Sequence, residues 1–199
     1  MFENDRNETP TRDRLVMTAA DLLMRQSFGA VSVDDICRAA DVKKGTFYHH
    51  FPSKVDLALA AYDYKWNEAR AKFDQCFDPA QSPQAQLEAF CEAVYEHHAH
   101  HFKAEGKVYG CPLASASSEM GTQDDRIHEC IKRFFDLKTE YFKTFIEKLP
   151  HHAHLDDAAG LASEMVSYVM GVVSHAKLAN DLEIIRRDML PGLKRLTGI

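Results

Sequence analysis

At 199 residues and a formal charge of −6, the chain is long enough for a small head plus a body with its own core, and too acidic overall to coat nucleic acid or membrane by bulk basicity. No apolar run approaches the roughly 20 residues that span a bilayer, and the stretch Met1 to Pro10 is unlike a signal peptide, so a cytoplasmic protein is expected. The five cysteines, Cys37, Cys76, Cys91, Cys111 and Cys130, are odd in number and form no C-x-x-C pair, which suggests neither a disulfide framework nor a zinc knuckle.

Residues 1–10 lack periodicity and read as a charged arm. A first helix is expected from about Thr11, where Leu15, Ala19, Leu22 and Leu23 follow an amphipathic spacing, with Phe28-Gly29 ending it and the glycine as cap. Ser32 followed by Asp35 is a capping-box-like start, so a second helix should begin at about Val33, with Ile36, Ala39 and Ala40 on one side. Asp41-Val42 makes a tight turn, Asp being one of the few non-glycine residues that tolerates a left-handed backbone. A third, short helix follows at about Lys44. Its polar residues Lys43, Lys44, Thr46, Tyr48, His49 and His50 outnumber the apolar anchors Phe47 and Phe51. From Val42 to Val55 there are three lysines and two histidines and no acid, a local anion site in an acidic chain. Gly45 clears the helix start for phosphate, and Thr46, Tyr48 and His49 can hydrogen-bond phosphates or base edges.

Gly29, Ile36, Ala39, Val42, the run Lys44-Gly45-Thr46-Phe47-Tyr48, Phe51 and Ser53-Lys54 resemble the DNA-binding domain of the TetR family of bacterial transcriptional regulators. The likeness covers about the first sixty residues. Lys43 stands where that family usually has a Ser or Thr cap, and Asp41 where Gly is common. The resemblance implies an all-α dimer: a three-helix DNA-binding head with a helix-turn-helix at residues 1–52, and a helical-bundle body for effector sensing and dimerisation at residues 53–199. The implied DNA contacts are Ser32, Lys43, Lys44, Gly45, Thr46, Tyr48, His49 and Lys54, with Lys54 on the DNA backbone.

Beyond Pro52, Ser53 caps a helix whose series Leu57, Ala60, Ala61, Tyr64 runs on towards Phe73 and Phe77. A loop over Asp78 to Pro83 precedes a helix at about Gln84 to Phe102, with Leu87, Phe90, Ala93 and Val94 inward and His97, His98, His100 and His101 on its other face. His151, His152 and His154 follow Pro150. Neither cluster has a carboxylate or cysteine completing a recognisable metal pattern, so no metal and no cofactor is expected.

Pro112 opens a short helix, which leaves Cys111 at its cap, where the dipole and free amides favour a thiolate, with Lys103 and Lys107 just before it. Asp124 to Leu149 forms a long amphipathic helix whose aromatics suit a bundle core or the wall of an apolar pocket. In the next helix, Leu155 to Leu178, the small residues Gly160, Ser163, Ser167, Gly171 and Ser174 form one stripe, and Leu161, Met165, Tyr168, Val172 and Ala176 form another. The last helix starts near Asp181 with Leu182, Ile185, Met189, Leu193 and Leu196, and Pro191-Gly192 should bend it. These two final helices are expected to pair with their copies as a four-helix interface that includes Ser163, Ser167, Gly171, Ser174, Ile185 and Met189.

A narrower likeness concerns Gly110-Cys111, Ser118-Glu119 and Ala176-Lys177, which are similar to a TetR subgroup that responds to electrophiles, oxidants or unsaturated carbonyl compounds. It implies a sensing Cys111 tuned by Lys177; the competing reading makes Cys111 a small buried hydrophobe. The expected function is a homodimeric regulator, a repressor by preference, released from a palindromic operator by a small-molecule or electrophile effector. The alternative is a cysteine- or metal-dependent hydrolase on a helical scaffold. No nucleophile elbow, H-E-x-x-H or phosphate loop is present, so no catalytic residue and no enzyme is expected.

Overall fold

The computed structural model of the protein describes residues 9–149 and 157–199, and among these every regular element is a helix. In chain order they are α1 (Thr11–Arg25), α2 (Val33–Ala39), α3 (Lys44–His50), α4 (Lys54–Cys76), α5 (Pro83–Glu105), α6 (Pro112–Met120), α7 (Asp125–Ile146), α8 (Ala158–Ala179) and α9 (Glu183–Thr197). The histidines at 151, 152 and 154 lie outside the described residues.

Packing divides the chain into two units. The first takes the N-terminal segment through Glu68 together with Pro112–Ile131, and the second takes Ala69–Cys111 with Lys132–Ile199. The family resemblance implies a boundary at 52/53, and contact packing adds a later segment to the head. Helix α6 and the first two turns of α7 pack with the head, because α6 lies against α1.

In the first unit, α1 packs on α2 and α2 on α3. The side chains that bring them together are fully shielded: Leu15, Ala19, Ile36, Phe47 and Leu57. The start of α2 is set by a complete capping box, in which the Asp35 amide donates to Ser32 Oγ at 3.1 Å and the Ser32 amide donates to Asp35 Oδ2 at 3.0 Å. Asp41 takes the left-handed backbone that the turn requires, at φ 52°. Two local expectations change. Ala40 is buried but Ala39 faces solvent, so only one alanine lies at the helix contact. Gly29 does not cap α1, which ends at Gln26 in an extended conformation; its role is described below.

The second unit is built on one apolar cluster drawn from α4, α5, α7, α8 and α9. The α7 aromatics stack into that core: Phe142 meets Phe90 edge-on at 5.1 Å between ring centroids and Phe77 at 5.5 Å, while Tyr141 meets Phe73 at 5.1 Å. α9 packs along α8 and α5 and continues as a helix across Pro191. Gly192 is required where α9 crosses α8, since a Cβ there would collide with the Tyr168 ring, whose hydroxyl donates to the Asp188 carbonyl at 2.9 Å.

Two body assignments are corrected. Ile185 and Met189, expected at a dimer interface, are 1% and 0% exposed in the single chain because that side of α9 faces the core. His98, expected on the polar face of α5, is 5% exposed. Burial, reinforced by neighbouring His97 and His101, pushes its pKa down to about 3, so it is a neutral core residue.

Candidate nucleic-acid interface

The α2–turn–α3 segment separates two kinds of side chain. Phe47 is fully buried and anchors α3 from beneath, with Phe51 at 4% exposure closing its end. Tyr48, packed edge-on against Phe47 at 5.1 Å, leaves half of its surface in solvent. Lys43, Lys44, Gly45 and His49 are exposed beside it, and Thr46 is half-buried. A Cβ added to Gly45 would meet nothing within 4 Å, so the start of α3 is sterically open to an approaching backbone. The backbone of Lys43 begins α3, its carbonyl accepting from the Thr46 and Phe47 amides at 2.9 and 3.1 Å, and no side chain caps the helix.

Lys44 has a carboxylate partner in the folded head. Lys44 Nζ lies 3.0 Å from Asp34 on α2, and this hydrogen-bonded charge raises the lysine pKa. Both side chains are more than half exposed, so the pair is weak and exchangeable for a phosphate. Asp34 is ten residues away in a different helix, which no helical spacing would have signalled.

Lys54 behaves differently. Its Nζ donates to the Phe28 and Val31 carbonyls at 2.8 and 2.9 Å and sits 3.9 Å from the Phe28 ring centroid. Burial lowers its pKa, against the pull of Glu119. A cation in the first turn of a helix invites a phosphate explanation; the fold also supplies an internal one, the Phe28 and Val31 carbonyls. Ser32, also expected at the DNA, is exposed but engaged in the capping box.

The expected sensing pair is brought together through a neighbour. Gly110 has a left-handed backbone at φ 78°, and a Cβ on it would lie 2.9 Å from Lys177 Cδ, so the lysine stem runs against the residue before Cys111. This segment is stapled to the end of α8: the Val108 amide donates to Asn180 Oδ1, and Asn180 Nδ2 donates to the Gly106 carbonyl, each at 3.0 Å. Cys111 is half-exposed, whereas the other four thiols are buried. Burial raises the Cys91 pKa to about 12 and also raises those of Cys37 and Cys76. On α8, Ser163, Ser167, Gly171 and Ser174 all face outward, and the first three line an open groove with Arg187, Pro191 and Arg195 of α9. Among the described residues, no three His, Cys, Asp or Glu side chains form a metal-binding group, and no helix is long and apolar enough to cross a membrane.

Comparison with known proteins bears on both units. The family model described as bacterial regulatory proteins, tetR family, matches residues 15–61, and that of a tetracyclin repressor-like C-terminal domain matches residues 83–189. The transcriptional regulator AcuR of Cereibacter sphaeroides is 33% identical over 112 residues, covering 56% of this chain and 49% of AcuR. The transcriptional repressor NemR of Escherichia coli K12 is 25% identical over 117 residues, covering 59% of this chain and 57% of NemR. These matches therefore span about half the length of each relative. A crystal structure of regulatory protein TetR from Rhodobacter sphaeroides shares the fold with a TM-score of 0.78 at 24% identity, covering 96% of this chain and 98% of that one.

Proposed function

We propose, since the chain belongs to the TetR family of bacterial regulatory proteins, that it is a homodimeric transcriptional regulator whose α3 enters the major groove of a palindromic operator. The observation that carries this reading is the two-sided α3: Phe47 locked in the core, with Lys44, Gly45, Tyr48 and His49 turned to solvent and no acidic side chain on the helix itself. Lysine supplies charge to phosphates, and Tyr48 and His49 supply directional contacts to phosphates or base edges. Two such heads about 34–36 Å apart would reach successive major grooves. The outward stripe Ser163, Ser167, Gly171 and Ser174 supports pairing of α8 and α9 with their copies, without Ile185 and Met189. The relatives are regulators, NemR a repressor by its name, which favours repression over the hydrolase alternative. No membrane partner is part of this reading.

Selection from a random duplex pool tests it. The protein should enrich a palindromic sequence, and replacing Lys44 and Tyr48 together by Ala should abolish enrichment. Retained affinity in the double variant would remove α3 from the DNA.

A second reading concerns the effector. Cys111 is the accessible thiol, beside Gly110 and the Lys177 stem, which supports covalent sensing of an electrophile. The thiolate would add to an electron-poor alkene, forming an S–C bond while the adjacent carbon takes a proton from water. N-ethylmaleimide should then release the wild type from its operator and leave Cys111→Ser bound. Equal release of both would replace this account with a non-covalent ligand.

A further inference from the structure

Within the first unit, the turn between α1 and α2 is gripped from two sides. Lys54 holds the Phe28 and Val31 carbonyls, as described. From α6, Glu119 Oε1 accepts the Gly29 amide at 2.5 Å across ninety residues of sequence. A Cβ on Gly29 would meet that same oxygen, so a larger residue there would push the Glu119 carboxylate off the amide. The second carboxylate oxygen, Oε2, is buried with no hydrogen-bond partner among the described residues. Burying part of a carboxylate costs free energy unless what it holds offsets the loss, so this side chain is committed to the joint rather than to solubility. A second tie joins the same unit, Arg126 Nη1 of α7 lying 3.0 Å from Asp56 of α4. The gripped turn leads directly into Ser32, whose capping box starts α2, and α2 carries α3.

We propose that Glu119 is a positioning residue for operator binding: by holding the Gly29 amide, α6 fixes the turn that orients α2 and α3. This rests on the operator-binding reading above and adds a residue that holds the reading helices in place. With Glu119 in place, the groove-fitting orientation dominates. Without the Glu119 carboxylate, the Gly29 amide loses its acceptor and the Lys54 charge loses its nearby counter-charge, so the competent population falls and apparent affinity falls with it.

The test is a double-mutant cycle in the full chain: wild type, Glu119→Ala, Gly29→Ala and the double variant, with Glu119→Gln as the conservative control. Operator Kd is read by fluorescence anisotropy on a fragment selected by the wild type, and exchange of the Gly29 amide by NMR. Each single Ala variant should raise Kd by about tenfold, a coupling of ordinary allosteric size. Gly29 exchange should accelerate in Glu119→Ala. The double variant should be no worse than Glu119→Ala alone, because the clash and the acceptor disappear together. Glu119→Gln keeps an acceptor and should stay closer to wild type. Unchanged Kd in Glu119→Ala, or two losses that simply multiply, overturns the proposal. If the wild type selects no fragment, it is the regulator reading that fails. Unchanged Gly29 exchange in Glu119→Ala then overturns the joint independently.

Discussion

Acidification should weaken the body through His98. Its imidazole has an ordinary pKa of 6.5 in the unfolded chain and about 3 in the fold, where burial and the neighbouring His97 and His101 oppose a charge. Between these values the unfolded chain binds a proton that the folded chain refuses, so stability is fully present above the unfolded pKa and drains away as pH falls towards the folded one. Each unit of pH in that window costs about 1.4 kcal/mol, so bringing the protein from about pH 7 to about pH 5 should remove about 2 kcal/mol through this one group. Urea unfolding at the two pH values, compared between wild type and His98→Gln, isolates the contribution from that of the surface carboxylates and histidines. The slope with pH should be shallower in the variant by that amount. An identical slope, or an NMR titration in which the His98 ring protonates between pH 7 and pH 5, would refute the assignment of His98 as a neutral core residue.

The two DNA-side lysines should separate cleanly. Lys44→Ala should make the salt dependence of operator binding shallower by about one unit with little change in stability, whereas Lys54→Ala should chiefly destabilise the head, seen as a lower unfolding midpoint. Gly171→Leu should fold normally, because a Cβ at 171 meets nothing within 4 Å in the chain, yet shift sedimentation towards monomer; a variant that stays dimeric moves the interface elsewhere. Gly192→Ala should cost about 1–3 kcal/mol through overpacking against Tyr168, and Tyr168→Ala in the same chain should relieve that cost in a thermal melt.

What the sequence disclosed was whatever a few neighbouring residues decide. Ser32 and Asp35 announce the start of α2 because a capping box is complete within four residues, and Asp41 announces its turn because few side chains tolerate that backbone. His98 was misread although its signal was present. Leu87, Cys91, Val94 and His98 follow one apolar spacing, which four clustered histidines obscured. Gly29 reads as a cap since glycine after a helix usually is one, whereas its contact with Glu119, from a distant helix, has no local signal. On α9 the pattern identified Ile185 and Met189 as apolar but could not say which of two apolar environments they enter. The chain's own core claims both.

The partners of Lys44 and Lys54 bear on how such a head can be both stable and responsive. On the operator-binding reading, Lys44 would meet phosphate by exchanging one exposed carboxylate for another anion, a transfer that costs little in solvent. Lys54 would have to give up its hydrogen bonds to two backbone carbonyls. On that reading, phosphate contact and scaffolding would fall to different lysines of the same acid-free stretch. The scaffolding lysine shares its turn with Glu119, so the part of the head least free to move towards DNA is also the part that α6 holds. Loss of that hold then need not break any DNA contact directly. It needs only to loosen the turn on which the reading helices are mounted, and operator affinity would fall by the differential stability of the two turn states.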